Sequence, residues 1–390
     1  MATHATTGIA RLAACPKTMT NGPCGGVGND GSCEVGGGLR CVWADEPDTL
    51  IDAPAPRPPL DWSAADPWPD AFAGRTASRT LDDTPDKAHR PERTGSRVER
   101  LLIDGAFVVT CELNPPDDAR ADRLLDEVRQ LLGTVDAVHV SDNSLASPHM
   151  CGLAVAALIE QLGMETILHM TCRDRNRIML QADLLGAAAL GVRHVLCLTG
   201  DHPAIGDHPQ AKPVFDLDAM SWIDAARRVR DDAALLSGRP LASAPRLLIG
   251  GAADPTTPPL ELRPRRLAAK VAAGLDLAVT QVVYDMAQLR SYLREVDDLG
   301  ILDKIDILVS VGALDGPAIA RGMNSSTPGV TVPESIISRL EATLPGRRRE
   351  EGLRICVELV QELLEMPGVA GVDIMDVDPR ATQRSSKRPD

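Results

Sequence analysis

Four thiols, and a set of polar residues closing apolar runs, are the groups in this chain whose type and spacing can do chemistry. The thiols are Cys15, Cys24, Cys33 and Cys41, separated by eight, eight and seven residues within CPKTMTNGPCGGVGNDGSCEVGGGLRC. Thiolates need a soft cation to offset their charge, and the intervening glycines let a chain without helix or strand period wrap round one. Such a polar stretch has no apolar core to order it, so the four cysteines read as metal-binding residues. The close Cys-x-x-Cys knuckles of many zinc sites are missing, which leaves zinc and a four-iron cluster both open. Gly26-Val27-Gly28-Asn29-Asp30-Gly31 matches the dinucleotide pattern in form only, since no apolar strand precedes it and no helix period follows. The polar set is Glu112, Ser141 with Asp142 and Asn143, His169 with Thr171, Asp201, Asp254 and Gln281. Six apolar runs carrying polar groups at the same end would deliver carboxylates, an imidazole and an amide to one place.

The elements that must hold these groups are short apolar runs alternating with helical patterns. Thr166 to Asp201 is the clearest unit. Ile167 to Thr171 reads as a strand, Asp174 stands where a helix N-cap would, and Ile178, Ala182, Leu185 and Ala189 share one helical face. Gly191 stops that helix, and His194 to Leu198 is apolar on both faces, as in a strand of a covered parallel sheet. Similar strands are expected at Val108 to Glu112, Ala137 to Val140, Leu247 to Gly250, Leu277 to Val283, Ile305 to Ser310 and Gly371 to Met375. Eight strands alternating with helices over about 280 residues suit a closed (β/α)8 TIM barrel better than a doubly wound open sheet.

Length and composition bound the rest. A chain of 390 residues with 44% apolar content is long enough for one large domain and an appendage. Residues 1–50 form the Cys-rich metal-binding module, 51–97 a Pro-rich linker with Trp62 and Trp68, 98–378 the barrel and 379–390 a polar tail. A net charge of -14 argues against a nucleic-acid partner. No window approaches the roughly 18 apolar residues of a membrane span, and the first residues lack the basic start and apolar core of an export signal. A cytoplasmic protein with reduced thiols is expected. Aromatic residues make up only 2%, so a flat ligand would rest mostly on aliphatic contacts.

Several segments together resemble the methylenetetrahydrofolate reductases. They are Cys111-Glu112-Leu113-Asn114-Pro115-Pro116, ILHMTC from Ile167, GVRHVLCLTGD from Gly191, LIGGAA from Leu248, and Thr280-Gln281 followed by Asp285. Met323 to Leu340 and Gly352 to Val372 are similar to the family's last two units, so the likeness runs in order from about residue 98 to 378. The amino-terminal CPKTMTNGPCGGVGNDGSCEV with Cys41-Val42-Trp43 looks like a cysteine module associated with some of these reductases, where it usually follows the barrel or sits on a partner subunit.

The resemblance implies a barrel carrying FAD, reduced by NAD(P)H, with tetrahydrofolate derivatives as substrate. Glu112 matches the general acid, Asp201 the acid that faces the pterin, and Gln281 the amide on the pterin edge. Leu314 aligns with a phenylalanine that packs on the pterin. His169 and Thr171 match positions lining the flavin, and Lys270 one at its phosphate end. The chain departs from the family where Thr199 replaces an arginine, Asp254 a flavin-contacting tyrosine, Arg263 an acidic residue, and Leu113-Asn114 an aromatic pair. The implied activity interconverts 5,10-methylenetetrahydrofolate and 5-methyltetrahydrofolate, with a nicotinamide or a protein as electron donor and a homo-oligomer as the assembly. Two other readings use the same residues: a flavin-independent folate methyl-transfer protein, and a folate-binding subunit docked on a redox or methyltransferase partner.

Overall fold

The structure is a computed structural model that describes residues 15–19, 21–44 and 81–375. The Pro-rich stretch up to residue 80, with Trp62 and Trp68, and the polar tail lie outside the described residues.

Eight runs rich in Val, Ile, Leu and Ala form the parallel strands β1 (Val108–Leu113), β2 (Ala137–Val140), β3 (Thr166–Thr171), β4 (His194–Leu198), β5 (Leu248–Ala253), β6 (Leu277–Thr280), β7 (Asp306–Gly312) and β8 (Gly371–Met375). Each pairs with the next, and β8 pairs back onto β1, so the sheet closes as a barrel with no edge. The expected (β/α)8 architecture is the one found. The helices are α1 (Arg97–Ile103), α2 (Asp122–Leu131), α3 (Gly152–Glu160), α4 (Arg177–Ala189), α5 (Ala219–Asp231), α6 (Arg263–Ala273), α7 (Met286–Asp298), α8 (Pro317–Ser326), α9 (Glu334–Ala342) and α10 (Arg348–Leu364).

Side chains alternate along each strand, so every strand feeds two cores. One set, with Val138, Leu168, Val195, Ile249, Ile307 and Val309, fills the layer between strands and helices. The other points inward and is apolar at the amino-terminal end, where Val108, Ala137, Ile167, Leu248 and Leu308 meet Val98 and Leu102 of α1. One step further along the same faces stand Thr110, His139, His169, Ser310 and Asp373, all buried. The interior thus changes from apolar to polar towards the carboxyl-terminal mouth.

Two expectations need correcting. Residues 81–96, assigned to the linker by composition, pack against the barrel: Arg90 pairs with the buried Asp306 at 2.7 Å and Arg93 with Asp231 at 2.8 Å. Ser96 then caps α1, its hydroxyl accepting from the Glu99 N–H at 3.0 Å. The second concerns α4, which is capped by Asn176 rather than Asp174; the Asn176 side chain accepts from the N–H groups of Ile178 and Met179. Asp174 instead pairs with Arg173 at 2.7 Å. The helix buries Leu180, Gln181, Leu184 and Ala187, while Ile178 is 71% exposed. A run apolar on several faces permits more than one stripe at helical spacing, and packing on the strands selects one.

Candidate active site at the barrel mouth

The mouth is best built from β1. Glu112 stands opposite His139 of β2, and Thr110, two residues earlier on the same face, stands opposite Asp373 of β8. The Thr110 and Ser310 hydroxyls donate to Asp373, each at 3.1 Å, and His139 Nε2 lies 3.6 Å from the same carboxylate. His139 Nδ1 and His169 Nε2 are 3.1 Å apart, which links β8, β2 and β3 through one polar chain. Burial pulls both imidazoles down to about 3, so at neutral pH they are uncharged. Burial pushes Glu112 up to about 8, with further contributions from Asp373 and then Asp201. Burial also pushes Asp373 up, to about 6. At neutral pH Glu112 therefore holds its proton and is a donor. His139, Asp373, Thr110 and Ser310 lie within strands rather than at their ends, and their only signal in the sequence is a polar residue at an inward, period-two position of an otherwise apolar strand.

The opposite side of the mouth is shaped by Asp201, in the loop after β4. Gly200 turns the chain there with a φ of 88°, and a Cβ on it would come 2.9 Å from Thr171 Cβ, so no larger residue fits this approach. The Leu145 backbone N–H favours the charged form of Asp201. It comes from a strained loop in which Asn143, Leu145 and Ala146 all have positive φ. Burial, then Glu34, push the Asp201 carboxyl up, opposed by Lys17 and Arg173.

Lys17 and Glu34 belong to the cysteine module, which is seated on this side of the mouth. They form a buried ion pair, and Glu34 accepts from the His202 N–H at 3.0 Å, next to Asp201. Thr18 donates to the Phe215 carbonyl at 3.2 Å, and Asn21 Nδ2 donates to Asp218 at 2.9 Å. Arg263 donates to the Cys24 carbonyl at 3.3 Å and Arg266 to the Asn21 carbonyl. Gly25 lies so close to Asp254 and Gln281 that a Cβ there would be 3.0 Å from Asp254 Oδ1 and 3.8 Å from Gln281 Nε2. Sequence reasoning gave no sign of this docking, because its partners lie some 200 residues apart along the chain.

Within the module, Cys15, Cys24, Cys33 and Cys41 line one small cavity beside Met19 and Trp43. Burial, reinforced by neighbouring thiols, pushes Cys41 up to about 11 and raises Cys15 and Cys33. Those thiols are thus neutral without a cation. Among the described residues, no three Cys, His, Asp or Glu side chains are drawn together as a ready ligand set. The four sulfurs share a chamber rather than a formed coordination shell.

Comparison with known proteins adds the decisive observation: a family model described as "Methylenetetrahydrofolate reductase" matches residues 97–382. This chain belongs to that family. A second family model, described as "Methylene-tetrahydrofolate reductase C terminal", matches residues 2–53, at the opposite end from the one its description names. Among curated relatives, "Methylenetetrahydrofolate reductase 2" of Schizosaccharomyces pombe is 25% identical over 207 residues, covering 51% of this chain and 31% of that protein. A "Probable methylenetetrahydrofolate reductase (NADPH)" of Caenorhabditis elegans is 24% identical over 290 residues, covering 69% and 40%. The chain thus spans well under half the length of these two eukaryotic relatives. The "5,10-methylenetetrahydrofolate reductase" of Pectobacterium carotovorum is 24% identical over 288 residues, covering 72% of this chain and 89% of that one. A solved Clostridium thermocellum protein, described as binding two copies of 5-methyl-5,6,7,8-tetrahydrofolic acid, aligns at TM-score 0.49 and 15% identity over 74% of this chain and 96% of that one.

Within this reductase-family barrel, the positions that the resemblance assigns to a flavin are engaged by the protein itself. His169 bonds His139, and the Thr171 N–H and hydroxyl both donate to Asp142 at 2.8 Å. Thr199 Oγ1 accepts from the Ala219 N–H at 3.1 Å. Asp254 lies 3.7 Å from Arg263 and against Gly25, while Lys270 donates to the Ala252 carbonyl and is only 5% exposed. Burial pulls Lys270 down to about 8, which weakens it as a phosphate cation. With the module seated, these residues do not fit a flavin dinucleotide. Leu314 also departs from expectation: it is fully buried between strands and helices, with its backbone against Gly352, and does not join the polar mouth. Glu112, Asp201 and Gln281 do gather at the mouth. Among the described residues no helix is long and apolar enough to cross a membrane.

Proposed function

We propose that this chain interconverts 5,10-methylenetetrahydrofolate and 5-methyltetrahydrofolate, using a reduced nicotinamide as hydride donor in the reductive direction. The observation that carries this reading is a buried carboxyl, Glu112, kept protonated to about pH 8 beside Asp201 in a reductase-family barrel. Reduction needs an acid for the departing amine, charge to favour a cation, and a hydride. Glu112 gives its proton to the amine as the five-membered ring opens, Asp201 favours the cation so formed, and Gln281 bonds the pterin edge. Hydride then adds to the one-carbon unit, and solvent restores the proton to Glu112, so one hydride and one proton are consumed per folate. A flavin, when bound, relays hydride in such chemistry; the residues assigned to it here are otherwise engaged, and no step runs through it.

The cysteine module is proposed as a soft-metal site, zinc or a four-iron cluster, because four thiols face one chamber and a cation would reverse the burial that keeps three of them neutral. All nine cysteines are free, which supports a reducing, cytoplasmic setting.

The test is anaerobic oxidation of reduced nicotinamide by the full chain, with and without 5,10-methylenetetrahydrofolate and with and without added FAD. Folate-dependent oxidation without FAD supports the reading, and strict dependence on FAD would overturn its hydride route. No folate-dependent turnover in either direction would sink it altogether. Metal analysis of the wild type against a Cys24→Ser, Cys33→Ser double variant should show loss of bound zinc or iron; equal content would remove the module's assigned role.

A further inference from the structure

We propose that Asp373 is the positioning residue for Glu112: an ionised carboxylate set deeper in the barrel that keeps the proton on the acid at the mouth. The proposal rests on reading Glu112 as the proton donor. Alternation along β1 puts Thr110 and Glu112 on the same inward face, and the β1–β8 register sets Asp373 beside Thr110, one step below Glu112. Two buried carboxyls that act on each other electrostatically, as Asp373 does on Glu112, do not both ionise readily, so their protonation is decided by which has the better donors.

The donors all favour Asp373. It receives the Thr110 and Ser310 hydroxyls at 3.1 Å each, from β1 and β7, and faces His139 Nε2 at 3.6 Å. Glu112 is faced by Asp373 from β8, by His139 from β2 and by Asp201 from the loop after β4. The His169 imidazole favours the charged form of Asp373, and its contact with His139 orients the side chain that faces that carboxylate. Hydrogen bonds to the charged form lower one carboxyl's pKa, while the resulting charge raises the other's. Two environments that separate a carboxyl pair in this way divide it into a base and an acid.

A purely structural brace between β7, β8 and β1 would not move the Glu112 titration, and that difference is measurable without turnover. The full chain, labelled with 13C at glutamate side-chain carboxyls, is titrated by NMR as wild type, Asp373→Asn and Asp373→Glu, with Glu112→Gln assigning the resonance. The Glu112 midpoint, about 8 in the wild type, should fall by about one pH unit or more in Asp373→Asn, a tenfold change in proton affinity. It should return towards the wild-type value in Asp373→Glu. If Asp373→Asn does not fold, the Thr110→Val, Ser310→Ala double variant replaces it: without its donors Asp373 takes up a proton, and the Glu112 midpoint again falls. An unchanged midpoint in the folded variant overturns the proposal. A shifted midpoint in a chain without folate-dependent turnover would uphold Asp373's effect on the Glu112 proton and sink only the function reading.

Discussion

The two sides of the barrel mouth are closed by different means. From β7 round to β3, the inward residues Ser310, Asp373, Thr110, His139 and His169 contact one another across neighbouring strands, with His139 Nε2 facing Asp373 at 3.6 Å without a hydrogen bond. From the loop after β4 round to α6, the mouth is completed by the cysteine module, which sets Lys17, Glu34, Asn21 and Gly25 against the Asp201 loop, Asp218, Asp254 and Arg266. The first side depends on strand register alone, and a register is hard to shift once each strand buries both faces. The second depends on a docked segment held by a few buried polar contacts, so its integrity is separable from the barrel's. The acid Glu112 belongs to the first side, whereas the charge environment of Asp201 is shared with the second.

The largest effect expected from the register-built side is that of Glu112→Gln, which removes the proposed proton donor. Folate-dependent turnover should fall by about 10²- to 10⁴-fold with folate binding retained, measured by initial rates and a binding titration; equal rates would detach Glu112 from the chemistry. On the docked side, Glu34→Gln leaves Lys17 buried, at 4% exposure, without its carboxylate. A loss of about 3–5 kcal/mol is the usual size for a broken buried pair. It should appear as an early denaturant transition of the module, and a single transition at the wild-type midpoint would mean that the two sides are one unit.

The pH dependence sharpens the same contrast. Glu112 has a folded pKa above its ordinary value, about 8, so its donor form is present below that pH and is lost as the pH rises through it. Steady-state rates of reduction should therefore fall above about pH 8, while the reverse oxidation, which needs the carboxylate, should rise over the same range. The smallest effect belongs away from the mouth. Ile178→Ser on the exposed face of α4 should change stability by no more than about 0.5 kcal/mol, whereas Leu184→Ala on its buried face should cost about 2–5 kcal/mol, both read from denaturant midpoints.

The barrel was readable because its signals are local. Each strand is a short Val-, Ile- and Leu-rich run between helical patterns, and all eight begin within one residue of the expected position, with β1, β2, β4, β6 and β8 starting on it. Glu112, Asp201 and Gln281 followed from strand ends in the same way. Reading failed where a local rule admits several answers. The α4 stripe was placed on Ile178 because helical spacing does not say which apolar face meets the strands, and Leu314 was placed by alignment although the backbone buries it against Gly352.

By itself the sequence determined the strand and helix pattern, the closed parallel architecture that eight such units favour, and which residue types stand at the mouth. These depend on period and composition, which act over a few residues. Only the tertiary structure decided that Asp373 and the histidines form one chain with Glu112 above it, and that the module sits over Asp254 and Gln281. Those facts depend on which distant segments share a dry, low-dielectric space, and there a neighbour's charge or hydrogen bond sets what each group can do.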